Sequence, residues 1–283
     1  MKMPNIAVLP SLVTLGNAVC GFVAVGIMLK APHLDLTPGA DNTRALTAIT
    51  MAGFLILLAM VFDALDGRIA RFTRSTSDFG GQLDSLCDAV SFGAAPALLA
   101  YRLFVDTVGK DNLVFDRLAI IMAAVYACCA ILRLARFNVE NVHDEESHLW
   151  FRGLPSPAAA GAVAGLVILV PELWTLDVYP ELSMAVIWSL PVVMLVTGIL
   201  MVSNVRYSHV VNQMIRGRRP LSYILQILIC VALIFFLQEK VLALLFIGYV
   251  FTGPLSLVYR RVMGVHRPAA SPSADGKNDL PKV

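Results

Sequence analysis

Long apolar stretches alternate with short polar ones along this chain. They fall at about 8–29, 45–66, 82–105, 117–137, 156–174, 183–203, 220–238 and 241–259. Each approaches the ~20 apolar residues that carry a helix across a bilayer. Gly and Pro recur inside them, which is tolerated where neighbouring helices satisfy the backbone. The third stretch is less apolar at its start, where Asp84 and Asp88 stand. The fifth opens on Pro155, Ser156 and Pro157, a sequence suited to a helix start. Only Gln238, Glu239 and Lys240 separate the last two, which predicts a tight helical hairpin. The pattern predicts an all-α fold, a polytopic transmembrane helical bundle of about eight spans.

Composition agrees and narrows the class. Of 283 residues, 58% are hydrophobic and 15% charged, whereas a soluble domain carries about a quarter charged residues. A soluble globular protein, a disordered chain and a nucleic-acid binder are all excluded. Cys20, Cys87, Cys128, Cys129 and Cys230 lie in or beside apolar stretches without metal-ligand spacing, so they are expected to be small buried hydrophobes. One early charge, Lys2, precedes the first apolar run without a small-residue cleavage site, which predicts a retained first span. Placing the N-terminus in the cytoplasm puts most of the 22 Lys and Arg on that side, among them Arg68, Arg71, Arg74, Arg133, Arg136, Arg152, Arg206, Arg216, Arg218 and Arg219. The 171–182 loop, on the far side, has none. Positive charge collects in cytoplasmic loops, so both termini are expected in the cytoplasm. The tail after Gly264, rich in Pro, Ser, Ala and charge, is expected to be disordered.

The sharpest chemistry sits around the second and third spans. Asp63 and Asp66 end one, and Asp84 and Asp88 begin the other. At about 100° per residue, Asp63, Asp66, Gly67, Ala70 and Arg71 share one helix face within roughly 140°, and Gly80, Asp84 and Asp88 share another within about 80°. Residues 72–79 are long enough for the turn that lets the faces meet. Four facing carboxylates repel one another unless cations bind between them, and acids at the edge of a bilayer point to function. Oxygen-only ligands favour Mg²⁺ or Mn²⁺ over Zn²⁺. Two such ions can clamp a diphosphate. Gly67 and Gly80 leave room for a nucleotide near the backbone, though close helix packing would use the same glycines. Arg71 suits a phosphate. The plainer alternative is a set of interfacial acids paired with Arg68, Arg71 and Arg74. A cation transporter is the rival from another class, but nothing in residues 180–260 echoes residues 55–90 as paired transporter repeats would.

Asp63-x2-Asp66-Gly67-x2-Ala70-Arg71-x8-Gly80-x3-Asp84-x3-Asp88 resembles, at every specified position, the signature of the CDP-alcohol phosphatidyltransferase family. The resemblance implies transfer of a phosphatidyl group from a CDP-linked lipid to an alcohol, with release of CMP. It implies Asp63, Asp66, Asp84 and Asp88 as ligands of divalent metal, two Mg²⁺ or Mn²⁺ ions by the family pattern, with Asp88 also the general base. Gly67, Ala70 and Gly80 would line the nucleotide site, supported by Arg71. It also implies a homodimer in the cytoplasmic membrane, with the active site at the cytoplasmic face.

Further segments bear on the acceptor alcohol. These are Leu9-Pro10-Ser11-Leu12-Val13-Thr14-Leu15-Gly16-Asn17, Leu132-Arg133-Leu134-Ala135-Arg136-Phe137-Asn138, Gly153-Leu154-Pro155-Ser156-Pro157-Ala158-Ala159 and Met201-Val202-Ser203-Asn204-Val205-Arg206-Tyr207. They are similar to the integral-membrane, serine-accepting branch of the family, with Ser11 standing where an Asn commonly follows the Pro. That likeness implies CDP-diacylglycerol and L-serine as substrates and runs from about residue 8 to 210. It divides the chain into a membrane core at 1–215, a two-helix extension at 216–263 and a tail at 264–283. On the residues themselves, Arg133 and Arg136 suit an anionic acceptor, because a carboxylate pairs well with guanidinium. Asn138 adds a donor and an acceptor. A glycerol-phosphate or inositol-phosphate acceptor would use the same arginines, and membrane anchoring would too. Thr14 and Asn17 share a face of the first span and suit either a nucleotide or headgroup contact or interhelical hydrogen bonds. No His stands in a His-x-Lys arrangement, which argues against phosphohistidine chemistry. Ser91 and Ser156 are expected to serve packing.

Overall fold

A computed structural model describes residues 8–35, 40–72, 78–109, 112–141, 150–175, 180–208 and 239–262. Its helices are α1 (Val8–Lys30), α2 (Thr43–Phe72), α3 (Asp78–Asp88), α4 (Ala95–Phe104), α5 (Leu113–Asn141), α6 (Ser156–Thr175), α7 (Pro180–Val202) and α8 (Glu239–Val262). Among the described residues, six segments are long and apolar enough to cross a membrane, and Val241–Ser256 forms a shorter apolar helix. They match the first six predicted spans. The predicted run at 220–238 and the tail after Gly264 lie outside the described residues, so of the expected hairpin only α8 is described.

Large apolar side chains point outward along whole helices. On α1, Leu12, Leu15, Val19, Phe22, Val23 and Leu29 are exposed. Their three- and four-residue spacing makes one stripe, and lipid is the solvent in which such a stripe is stable. The protein is an integral membrane protein.

α6 is the axis of the bundle. Its apolar window is 78% buried, against 33% for α1 and α5. Its sequence explains this, because Ala158, Ala159, Ala160, Gly161, Ala162, Ala164 and Gly165 leave little side chain between backbones. A Cβ at Gly165 would stand 3.0 Å from the Ala243 Cα, and one at Gly161 would collide with the Phe246 ring. These two glycines, four apart, seat α8 antiparallel along α6.

The third span is not one regular helix. α3 gives way to a π turn at Ala89–Ala94, then α4, then a second π turn at Val105–Gly109. Such wide turns gather at functional sites, and the first follows Asp88 directly. It carries Ser91 against α1, where a Cβ on Gly21 would lie 2.6 Å from the Ser91 Oγ and 2.7 Å from its Cα. Only glycine permits that approach.

A small β-ribbon adds to the predicted all-helical design. β1 (Trp150–Arg152) pairs antiparallel with β2 (Arg206–Ser208), Phe151 opposite Tyr207. Gly153 leaves the ribbon at φ 85°, a left-handed conformation that favours glycine. Its N–H donates to the Val205 carbonyl at 2.8 Å, and the Leu154 N–H donates to the Leu200 carbonyl at 3.0 Å. The ribbon thereby fixes the start of α6 against the end of α7. Four described cysteines are free. Cys20 and Cys87 are buried as expected, Cys129 is partly buried, and Cys128 is exposed.

Candidate active site

Near one end of the bundle, α2 and α3 bring the acids together. A carboxylate oxygen from each of Asp63, Asp66 and Asp84 lies within 4.8 Å of the others. Asp66 and Asp88 are buried, and Asp63 and Asp84 partly so. Among the described residues, none of the four makes an ion pair. Of the alternative pairing with arginines, the side chains of Arg71 and Ala70 and all of Arg74 lie outside what is described. Among the described residues, Asp66 Oδ2 and Asp84 Oδ1 are buried with no hydrogen-bond partner. Burying bare carboxylate oxygens side by side is strongly unfavourable, so this donor set suits a divalent cation. The all-oxygen chemistry fits a hard ion such as Mg²⁺ or Mn²⁺.

Asp88 stands outside that three-residue group. It accepts a hydrogen bond from the Asn17 side-chain N–H at 2.8 Å. Asn17 is fully buried, and its backbone carbonyl accepts from the Ser91 hydroxyl at 2.8 Å. Ser91, expected to serve packing, thus fixes the residue that fixes Asp88. Asn17 Oδ1 has no partner and remains an acceptor inside the site. Thr14, one turn back on α1, is buried beside Asp66 and donates to the Pro10 carbonyl at 3.0 Å. Among the described residues, no protein atom lies within 4 Å of where a Cβ on Gly67 would stand, apart from its own helix and neighbours. Packing therefore does not demand glycine there, and a ligand can.

The predicted acceptor residues take separate positions. Arg133 turns inward and donates to the Ser156 hydroxyl at 3.0 Å. It is near enough to Asp88 and Asp63 for its charge to act on both. Its Nε is buried without a partner. Arg136 instead donates to Asn204 Oδ1 at 3.1 Å, at the end of α7. The Asn138 amide donates to the Ser85 hydroxyl at 2.9 Å, on the helix that carries Asp84. So Arg133 stands beside the acids, and Ser156, expected to be packing, holds it. The local signal for Ser156 was its place between two prolines at a helix start.

An acid cluster with unsatisfied oxygens, a half-buried arginine beside it and a lipid-facing bundle around both define a membrane-embedded enzyme of phosphoryl-transfer type. The family model for CDP-alcohol phosphatidyltransferases matches residues 7–193, and the chain belongs to that family. It is 36% identical over 190 residues to a CDP-diacylglycerol–serine O-phosphatidyltransferase of Methanocaldococcus jannaschii, covering 67% of this chain and 77% of the relative. It is 39% identical over 161 residues to the protein of that name from Helicobacter pylori, covering 56% of this chain and 60% of the relative. Similarity to the archaetidylserine synthase of Methanothermobacter thermautotrophicus is 31% over 211 residues, covering 74% of this chain and 73% of the relative.

Proposed function

We propose that this transferase moves the phosphatidyl group of CDP-diacylglycerol to the hydroxyl of L-serine, giving phosphatidylserine and CMP. The observation that carries the reading is the junction of the three clustered carboxylates with a half-buried Arg133 whose Nε is buried and unsatisfied among the described residues. One part of the site suits a diphosphate held through metal, and the other suits the carboxylate of an amino acid. The relatives' names support serine in particular, because serine is common to them while the lipid product differs.

Asp63, Asp66 and Asp84 would hold the divalent ions, with Asp88 at their edge. Bound there, such ions would neutralise the diphosphate and the charge that develops on the leaving group. Gly67, Gly80, Ala70 and Arg71 would line the nucleotide side, with Asn17 offering Oδ1. Asp88, oriented by Asn17, accepts the proton of the serine hydroxyl. The serine oxygen forms a bond to the phosphorus that carries diacylglycerol, and the bond from that phosphorus to the CMP oxygen breaks. Arg133 holds the serine carboxylate, and Arg136 and Asn138 support the rim through Asn204 and Ser85. The distribution of Lys and Arg supports an inner-membrane protein with the site and both termini on the cytoplasmic side, and the family pattern supports a homodimer.

The test is CMP release by the purified protein in lipid-detergent micelles with CDP-diacylglycerol and one acceptor at a time. Serine is expected to support turnover. Turnover with glycerol 3-phosphate or inositol phosphate but not with serine would replace this reading by a sister transferase.

A further inference from the structure

α8 lies beyond the residues matched by the family model, yet its packing register carries it to the site. Ala243 meets Gly165, and Phe246 meets Gly161. Continuing that antiparallel register by about one turn sets Tyr249 and Val250 beside residues 157–158, next to Ser156. Ser156 is the residue to which Arg133 donates.

Tyr249 is held there from behind. Its ring lies against that of Tyr207, with centroids 5.8 Å apart. Tyr207 is fully buried, and its hydroxyl donates to the Val250 carbonyl at 3.0 Å. Burial, together with the neighbouring Tyr249, pushes the Tyr207 hydroxyl up to about 12, so it stays protonated and remains a donor. A side chain on Gly253 would collide with the Tyr207 ring, so that glycine admits the ring to the α8 surface. The β-ribbon fixes Tyr207 in turn, through its pairing with Phe151. Tyr249 and Arg133, both half-buried, lie near each other.

We propose that Tyr249 is a positioning residue for the acceptor, its hydroxyl holding the Arg133 guanidinium on the wall of the acid site. The assignment rests on the reading of Arg133 as the group that meets the serine carboxylate. Ser156 holds one end of that guanidinium, and a long flexible side chain with one hydrogen bond among the described residues is poorly fixed. A second support from α8 presents it in one orientation. α8 thus completes the acceptor pocket of a core that the family model otherwise contains.

The experiment uses the full chain with Tyr249→Phe, which keeps the ring against Tyr207 and removes only the hydroxyl. Serine KM is expected to rise about tenfold, the worth of one hydrogen bond to a charged group. The CDP-diacylglycerol KM and the thermal unfolding midpoint are expected to stay unchanged. In Arg133→Lys/Tyr249→Phe, serine KM should be no higher than in Arg133→Lys alone, because the hydroxyl acts through the guanidinium. An unmoved serine KM, an equal rise for both substrates, or additive effects in the double variant would each overturn the assignment while leaving serine transfer intact. A wild-type protein that releases no CMP with serine would overturn the parent reading, and this assignment with it.

Discussion

The two ends of the third span bury carboxylates in opposite ways. At one end, Asp66 and Asp84 keep bare oxygens against each other with no cation from the described protein. At the other, Asp106 is just as buried but accepts from Arg102, one turn away, and meets the His33 ring at 2.7 Å. Tyr101 nearby donates to Asp116 at 2.8 Å. Eighteen residues of helix, about 27 Å, separate Asp88 from Asp106. A buried charge that the chain pairs internally is part of the scaffold. A buried charge that it leaves unpaired, beside others of the same sign, is a demand for something outside the chain.

The comparison breaks most decisively at Asp84. Asp84→Asn is expected to lower turnover about 10³-fold or more, the several kcal/mol that a metal supplies to the transition state. The protein should still insert and purify. In addition, Mg²⁺ should stabilise the wild type, by about 2.7 kcal/mol at a free concentration 100 times its Kd, and so raise its unfolding midpoint, but not that of the variant. Turnover within a few-fold of wild type at saturating Mg²⁺ or Mn²⁺ would remove the metal assignment.

Asp88→Asn sharpens the acid end from within. Its amide oxygen can still accept from Asn17, so the geometry survives while the base is lost. A fall in kcat of about 10²–10⁴-fold with little change in CDP-diacylglycerol affinity is the expected outcome. An equal loss of both would make Asp88 chiefly a ligand.

Arg133→Lys keeps the charge but not the two-pronged fit to a carboxylate. The contact is worth roughly 1.5–3 kcal/mol, so serine KM should rise about ten- to a hundredfold, with a smaller effect for Arg136→Lys. Serinol, which lacks the carboxylate, should be a poor acceptor that the substitution penalises no further. A change in the lipid KM alone would move Arg133 to the diphosphate.

The smallest effect on activity belongs to the paired end. Asp106→Asn should leave kcat and both KM values near wild type while destabilising the fold by about 1–3 kcal/mol, a range reduced by the exposure of His33. The unfolding midpoint should fall by the same amount with and without Mg²⁺. Loss of serine turnover in a folded Asp106→Asn protein would erase the distinction between the two ends.

What could be read from the sequence follows the same division. The first six spans and the acid faces were legible because helix geometry turns spacing into direction, and Asp63, Asp66 and Asp84 converge as their spacing requires. Arg133 and Arg136 show where this reasoning stops. Their backbones share a face, but their side chains are long enough to choose Ser156 and Asn204, partners fixed by tertiary packing. Ser91 reaches Asn17 only because a π turn and Gly21 bring two spans together, and no local pattern announces such a turn. Tyr249 was hidden by distance, more than a hundred residues from the arginine it adjoins. The ribbon at 150–152 and 206–208 pairs segments too short to show periodicity.

The π turn after Asp88 also bears on how this span tolerates insertions and deletions. In a regular helix, losing one residue swings everything beyond it by about 100°, which would turn Asp106 away from His33 or Asp88 away from Asn17. A wide turn holds its extra residue locally, so the helical faces on either side keep their relation. A version of this chain one residue shorter within Ala89–Ala94 would close that turn into a regular one and leave the acids and the Arg102–Asp106 pair where they are. It would surrender only what the widened turn presents, the Ser91 hydroxyl on the Asn17 backbone.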